Sequence, residues 1–88
     1  MKTSTDAIND LQTALTATKA AEATMNDLLA AHNYQDVAVL MAKAAQSLLD
    51  AATAFMQSED EAALDALEAA EDIIDEFYDI IDGDLAED

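Results

Sequence analysis

The feature that most restricts the fold of this chain is the near absence of residues that interrupt a helix. Its 88 residues contain no proline and one glycine, Gly83. Tight turns between strands depend strongly on glycine and proline, so a sheet built from this chain would have few ways to turn. The composition therefore predicts an all-α protein, and a chain of this length forms one domain.

The first two helices follow from the spacing of apolar residues. The first runs from about Thr5 to Ala31, and it begins among three candidate N-caps: Thr3, Ser4 and Thr5. The second has Asn33 as its candidate N-cap and runs to about Gln57. This second helix is apolar around most of its circumference, which is typical of a helix that lies between two others.

The third helix is marked at both ends. Ser58 suits the N-cap of a capping box that Glu61 completes, and the helix runs to about Asp82, before Gly83 as its stop. Connections as short as these place consecutive helices antiparallel. We therefore predict an antiparallel up-down-up three-helix bundle with an acidic third helix. The predicted domain covers residues 1–83, and residues 84–88 form a short acidic tail.

The charge of the chain is one-sided. Twenty Asp and Glu residues oppose three Lys and no Arg, and the formal net charge is −17. Phosphates of nucleic acids and anionic lipids repel such a chain, whereas a basic protein attracts it over distance. We therefore expect a basic protein partner and no direct binding of nucleic acid.

The carboxylates of the third helix share one side of a helical wheel. Taking Ala63 as the origin, the apolar side lies within about 60° and is flanked by Ile73 and Ile80; its members are Ala63, Leu67, Ala70, Ile74, Phe77, Tyr78 and Ile81. The acidic arc runs from about 80° to about 220°, and only Leu64 interrupts it. The candidate partner-binding residues are Asp65, Glu68, Glu71, Asp72, Asp75, Glu76, Asp79 and Asp82.

This acidic row is costly for a helix. Like charges three or four residues apart cost about 0.2–0.5 kcal/mol each, on the order of 1–3 kcal/mol for the whole row. A face that serves only solubility mixes Lys with Glu. The row places one carboxylate on roughly 3 Å of helix axis, close to the ~3.4 Å between phosphates of one DNA strand. It can therefore occupy Lys and Arg side chains that hold phosphates.

Three further side chains have open interpretations. Phe77 and Tyr78 border the acidic arc, where both can pack in the core, or Tyr78 can serve as an aromatic anchor in an interface. Glu22 interrupts the apolar side of the first helix, and we expect its carboxylate to reach solvent near Lys19 or Lys43. Alternatively, this thinly covered side of the first helix contacts a second chain.

The residues needed for catalysis or metal binding are missing from the sequence. There is no Cys, and the single His, His32, follows the first helix without a Glu-x-x-His pattern. The segment DIIDGDLAED lacks the ligand spacing of a calcium loop, and no glycine-rich loop is present to hold a phosphate. We expect no enzymatic activity, no cofactor and no specific metal site.

The N-terminus has no apolar signal segment, and the chain has no run of 18 apolar residues. We therefore expect no membrane span and a cytoplasmic location, which is the host cytoplasm for a phage-encoded protein. A monomer and a dimer are both compatible with the composition.

Two functions remain open. The first is an acidic inhibitor that mimics nucleic-acid phosphates and blocks a basic DNA- or RNA-binding site on a host protein. In size and charge the chain resembles the acidic decoy proteins of phages and mobile elements, which would imply an anti-restriction, anti-CRISPR or repair-inhibiting role. The alternative is a structural or adaptor bundle, such as an assembly partner, an antitoxin-like cap or a homo-oligomer, which would use apolar surface left over on the second helix. In that case the acidic face is only a solvated surface, as it also would be in a protein adapted to high salt.

Overall fold

The computed structural model describes residues 1–30 and 32–86 and contains three α-helices. They are α1 (Ser4–Asn26), α2 (Gln35–Met56) and α3 (Asp60–Ala86), and no strand occurs among the described residues. α2 packs against both other helices, as its nearly all-round apolar character predicted. The predicted all-α three-helix bundle is confirmed.

Contacts near the helix ends give the direction of each helix. Gln35, the first residue of α2, donates a hydrogen bond from its side-chain amide to the carbonyl oxygen of Met25, near the end of α1, at 2.8 Å. Tyr34, which precedes α2, lies close enough to Asp84 near the end of α3 for the carboxylate charge to raise the pKa of the phenol. The start of α2 therefore lies beside the ends of both neighbours, and the bundle runs up-down-up.

The three helices form a flat layer with α2 in the middle. Within the described part of the chain, α1 and α3 each pack against α2 and make no contact with each other. The Cα atoms extend over 51 × 28 × 20 Å, and their radius of gyration of 15.4 Å exceeds the roughly 12 Å expected for a compact domain of this length. The buried core is accordingly thin and made of small residues: Val37, Val39, Ala44, Ala51, Ala54, Ala63 and Ala70.

α1 begins at one of the three predicted N-cap candidates. Thr3 is its N-cap, and a reciprocal capping box joins it to Asp6: the Asp6 amide donates to the Thr3 hydroxyl at 3.2 Å, and the Thr3 amide donates to the Asp6 carboxylate at 3.0 Å. These bonds satisfy two backbone donors that a helix start otherwise leaves unpaired.

α1 ends earlier than its apolar spacing predicted. The helix stops at Asn26, with Asp27 as C-cap, so the predicted extension to Ala31 is wrong, and Ala31 itself lies outside the described residues. Asn and Asp are weak helix formers whose side chains compete for backbone hydrogen bonds. Leu28 and Leu29 consequently lie in the connection to α2, where both are exposed.

The connection between α2 and α3 differs from the predicted capping box. Ser58 adopts a left-handed backbone conformation with φ of 59°, and its amide donates to the carbonyl of Phe55 at 3.1 Å. The amide of Glu59 donates to the carbonyl of Ala54 at 2.8 Å. These two bonds form a Schellman motif that closes α2. Ser58 is therefore the residue after the end of α2, and the prediction that it is the N-cap of α3 is wrong.

Two further helix ends correct the sequence-based prediction. The N-cap of α2 is Tyr34, in a left-handed conformation with φ of 61°, and not Asn33. α3 continues through Gly83 to Ala86, so the predicted stop at Gly83 is wrong. A glycine inside a helix costs only about 1 kcal/mol relative to alanine, and here no left-handed turn requires it. The division into a domain over residues 1–83 and a tail over 84–88 stays a prediction.

α2 is also long and apolar enough to cross a membrane by length and composition alone. The core helix of a soluble protein meets the same test, and α2 packs between two neighbours, with 28% of its most apolar window buried.

Candidate partner-binding surface

α3 is an edge helix of the layer, and its buried side is the one that the helical wheel predicted. Ala63 and Ala70 are fully buried against the bundle. Along the same stripe the larger apolar residues are half-buried: Leu67, Ile74, Phe77 and Ile81. The small alanines let α2 and α3 approach closely, while the larger residues close the seam from the sides. The opposite side of α3 has no helix packed on it within the described residues.

The eight predicted partner-binding carboxylates are all exposed. They extend from Asp65 to Asp82, which corresponds to about 26 Å along the helix axis. Within the described part of the chain, none of them accepts a hydrogen bond. Their oxygen atoms therefore face solvent and stay available to donors of another molecule. We call this set the α3 acidic row.

Carboxylates stabilise the N-terminal end of α3 and destabilise its C-terminal end. Asp60 and Glu61 lie in the first turn, where the positive end of the helix dipole stabilises carboxylates. The last turn carries no basic residue, and Asp82 and Asp84 lie close to the negative end of the dipole. The acidic end of the row is therefore unfavourable for folding, beyond the repulsion between neighbouring side chains.

Tyr78 lies on the surface beside the α3 acidic row. Its side chain is 56% exposed, whereas Phe77 is half-buried, and the two ring centroids are 5.3 Å apart. Core packing therefore describes Phe77 but is wrong for Tyr78. On the helix, Tyr78 is three residues after Asp75 and four before Asp82, so its ring lies between carboxylates of the row.

Glu22 on α1 makes a different contact from the one predicted. The side-chain amide of Gln46 on α2 donates a hydrogen bond to the Glu22 carboxylate, which is half-buried between the two helices. A neutral amide thus takes the place of the lysine partner that the sequence suggested.

The sequence predicted leftover apolar surface on the second helix but not which residues form it. In the structure, Met41, Leu48 and Phe55 of α2 form an exposed apolar ridge and are 53%, 43% and 48% exposed. We call these three residues the α2 ridge. The signal available in the sequence was the width of the apolar arc of α2, which is greater than two neighbouring helices can cover.

The single histidine lies at one end of the layer. His32 is exposed and helps to line an open groove of about 580 Å³ together with Asp36 and Glu76, the last of these from the α3 acidic row. Among the described residues, no group of three His, Cys, Asp or Glu side chains is placed to hold a metal ion.

No protein-family model, curated protein or solved structure matches this chain.

Proposed function

We propose that this protein is an inhibitor that binds a basic protein surface through the α3 acidic row and blocks a site where the partner holds nucleic-acid phosphates. The observation that carries this proposal is the exposure of all eight carboxylates of the row on the outer side of an edge helix. Such an arrangement costs folding free energy and supplies acceptors that no part of the described chain uses.

The dimensions of the row suit a short stretch of nucleic-acid backbone. From Asp65 to Asp82 it covers about 26 Å, the length occupied by about eight phosphates of one strand of duplex DNA. A rigid helix holds these charges in place, so few side-chain torsions have to be ordered on binding. Arg and Lys side chains that bind phosphates also form strong charge-assisted hydrogen bonds with carboxylates.

The protein would act by occupying the site rather than by chemistry. Its charge accelerates the encounter with a basic cleft, and the contacts with Arg and Lys hold it there. Tyr78 would add an aromatic contact at the border of the row, next to Asp75 and Asp82. The chemical class of partner is a nucleic-acid-binding protein of a restriction, CRISPR, recombination or repair system, and the site of action is the cytoplasm in which that system works.

The experiment that tests this function is a comparison of two baits. One is the wild-type protein, and the other is the neutral α3 variant, which carries D72N, D75N, E76Q and D79N. Each is immobilised and exposed at low salt to a nuclease-treated bacterial lysate, then eluted with a salt gradient. We expect the wild-type bait to retain nucleic-acid-binding proteins that the neutral α3 variant does not retain, and to release them as salt rises. Equal retention by both baits would contradict the proposal.

A structural or adaptor role is the second candidate, and the exposed α2 ridge favours it. Apolar side chains of this size on the surface of a small protein commonly mark an interaction site. Salt separates the two candidates, because an apolar interface persists at high salt while a carboxylate interface weakens.

A further inference from the structure

The α2 ridge belongs to a regular pattern. Its three residues are seven apart, and half-buried alanines occupy the positions between them, so the order along the helix is Met41, Ala45, Leu48, Ala52 and Phe55. This alternation of four and three residues is the spacing by which one α-helix packs along another. The large side chains of the ridge protrude as a row, and the alanines between them leave a shallow groove beside it.

The geometry of the layer explains why this pattern is exposed. α1 lies on the side of α2 that carries Gln35 and Gln46, because both side chains hydrogen-bond to α1. Ala44 and Ala51, on the side left for α3, are buried and lie about 160° around the helix from those glutamines. Two neighbours at nearly opposite sides leave two free strips on α2. One strip is charged and carries Asp36, Lys43 and Asp50, and the other is the α2 ridge.

α3 adds apolar and acidic side chains to the ridge side of the layer. Its Glu76 and Ile80 line the groove on the charged side, together with Asp36 of α2. These two residues therefore mark one border of the buried stripe of α3. Leu64 and Tyr78 lie on the other border, which faces the same way as the α2 ridge. Both are more than half exposed. Glu71 and Asp75 follow next around the helix and form an acidic rim.

We propose that the α2 ridge, with Leu64 and Tyr78, binds an amphipathic helix of a partner protein whose apolar stripe is flanked by Lys or Arg. The repeat of the ridge fits a helix, and the carboxylates of the rim call for cations on its flank. A second copy of this chain fits less well, because it brings a net charge of −17 and the same acidic rim to the interface. This inference goes beyond the proposed function, since it depends on the apolar side chains of the α2 ridge, although Glu71, Asp75 and Tyr78 belong to both surfaces.

Three synthetic helical peptides of equal length test the proposal by titration calorimetry at near-physiological salt. The Lys peptide has Leu at alternating three- and four-residue spacing and Lys on the flanks. The Glu peptide replaces its Lys with Glu, and the Gln peptide replaces its Leu with Gln. We expect the Lys peptide to bind at least about tenfold more tightly than either of the others, because it alone matches both the ridge and the rim. Equal binding of the Lys and Gln peptides would overturn the proposal, since charge alone would then explain binding.

A pair of variants locates the binding site. The double variant M41Q/L48Q should weaken binding of the Lys peptide about tenfold or more, because two buried apolar contacts are lost. The matched control is L29Q, which removes an exposed leucine in the connection between α1 and α2 and should leave the affinity unchanged. Circular dichroism verifies that both variants stay helical. Equal affinity of the two variants would overturn the proposal, and so would a wild-type dimer at high salt that M41Q/L48Q abolishes. Neither result bears on whether the α3 acidic row displaces nucleic acid.

Discussion

Gln46 of α2 donates a hydrogen bond from its side-chain amide to the carboxylate of Glu22 on α1. This bond matters because α1 has no buried residue and packs against α2 alone within the described part of the chain. With so little apolar burial, polar contacts such as this one and the bond from Gln35 to the Met25 carbonyl contribute to the position of α1. α1 is accordingly the most weakly attached of the three helices.

The Gln46–Glu22 contact gives a reciprocal test. The variant Q46E places two carboxylates in contact, and we expect it to lower the free energy of unfolding by about 1–2 kcal/mol at neutral pH. Adding E22Q reverses the donor and acceptor roles and should restore most of the loss. Urea unfolding followed by circular dichroism measures both. A double variant no more stable than Q46E would show that the two side chains are not coupled.

The left-handed conformation of Ser58 makes a second prediction. Glycine adopts this conformation without the steric cost of a side chain, so S58G should raise the free energy of unfolding by about 1 kcal/mol. The matched control is S58A, which keeps a side chain at the same backbone angle and should give no such gain. If S58A stabilised the protein as much as S58G, the serine hydroxyl and not the backbone would be the source of the effect.

Repulsion within the α3 acidic row predicts an unusual stability profile. The neutral α3 variant should be more stable than wild type at low salt by about 1–2 kcal/mol, because like-charge pairs at three- and four-residue spacing disappear. Added salt should raise the melting temperature of wild type more than that of the variant. The control D10N changes an exposed carboxylate of α1 outside the row, leaves the Thr3–Asp6 capping box intact and should give no comparable gain. Unfolding of the neutral α3 variant would mean that the row stabilises the fold.

Tyr34 predicts a change at alkaline pH. Desolvation of the phenol, followed by the nearby negative charge of Asp84, raises the pKa of Tyr34 above its ordinary value of 10.0. Raising this pKa on folding means that the native state binds the phenolic proton more tightly than the unfolded chain. Stability from this group is therefore present below pH 10 and is lost as pH rises through the pKa of the folded state.

The pKa of Tyr34 can be measured by ultraviolet absorbance in Y78F, which leaves it as the only tyrosine. We expect D84N to move this pKa back toward its ordinary value, since the carboxylate charge is removed. A pKa that D84N leaves unchanged would show that Asp84 does not act on the phenol.

Periodicity predicted the helices of this chain well and their ends less well. The buried stripe of α3 follows the helical wheel, because a helix that is buried on one side has apolar residues at three- and four-residue spacing. Helix ends depend on single backbone conformations instead. Ser58 matches an N-cap by residue type, yet it closes the preceding helix, and Gly83 matches a stop but stays helical. Residue type alone does not decide between such alternatives.

The surface was predictable only in part. Exposure of the α3 acidic row follows from local charge, which each residue carries whatever its neighbours are. Exposure of Met41 and Leu48 depends on where two other helices pack around α2. The sequence indicated that α2 lies between neighbours, but periodicity within one helix does not state the angle between those neighbours. The same limit explains why the sequence left Tyr78 open between a core position and an exposed anchor.

Displacement of nucleic acid from a captured partner is the most direct test of the proposed function. A fluorescently labelled oligonucleotide is bound to the partner, and its anisotropy is followed while this protein is added. We predict complete displacement by wild type, and a requirement for at least about tenfold more of the neutral α3 variant, with the difference shrinking as salt rises. If the protein bound the partner while the oligonucleotide stayed bound, or if wild type and the variant displaced it equally well, the α3 acidic row would not be a substitute for phosphates.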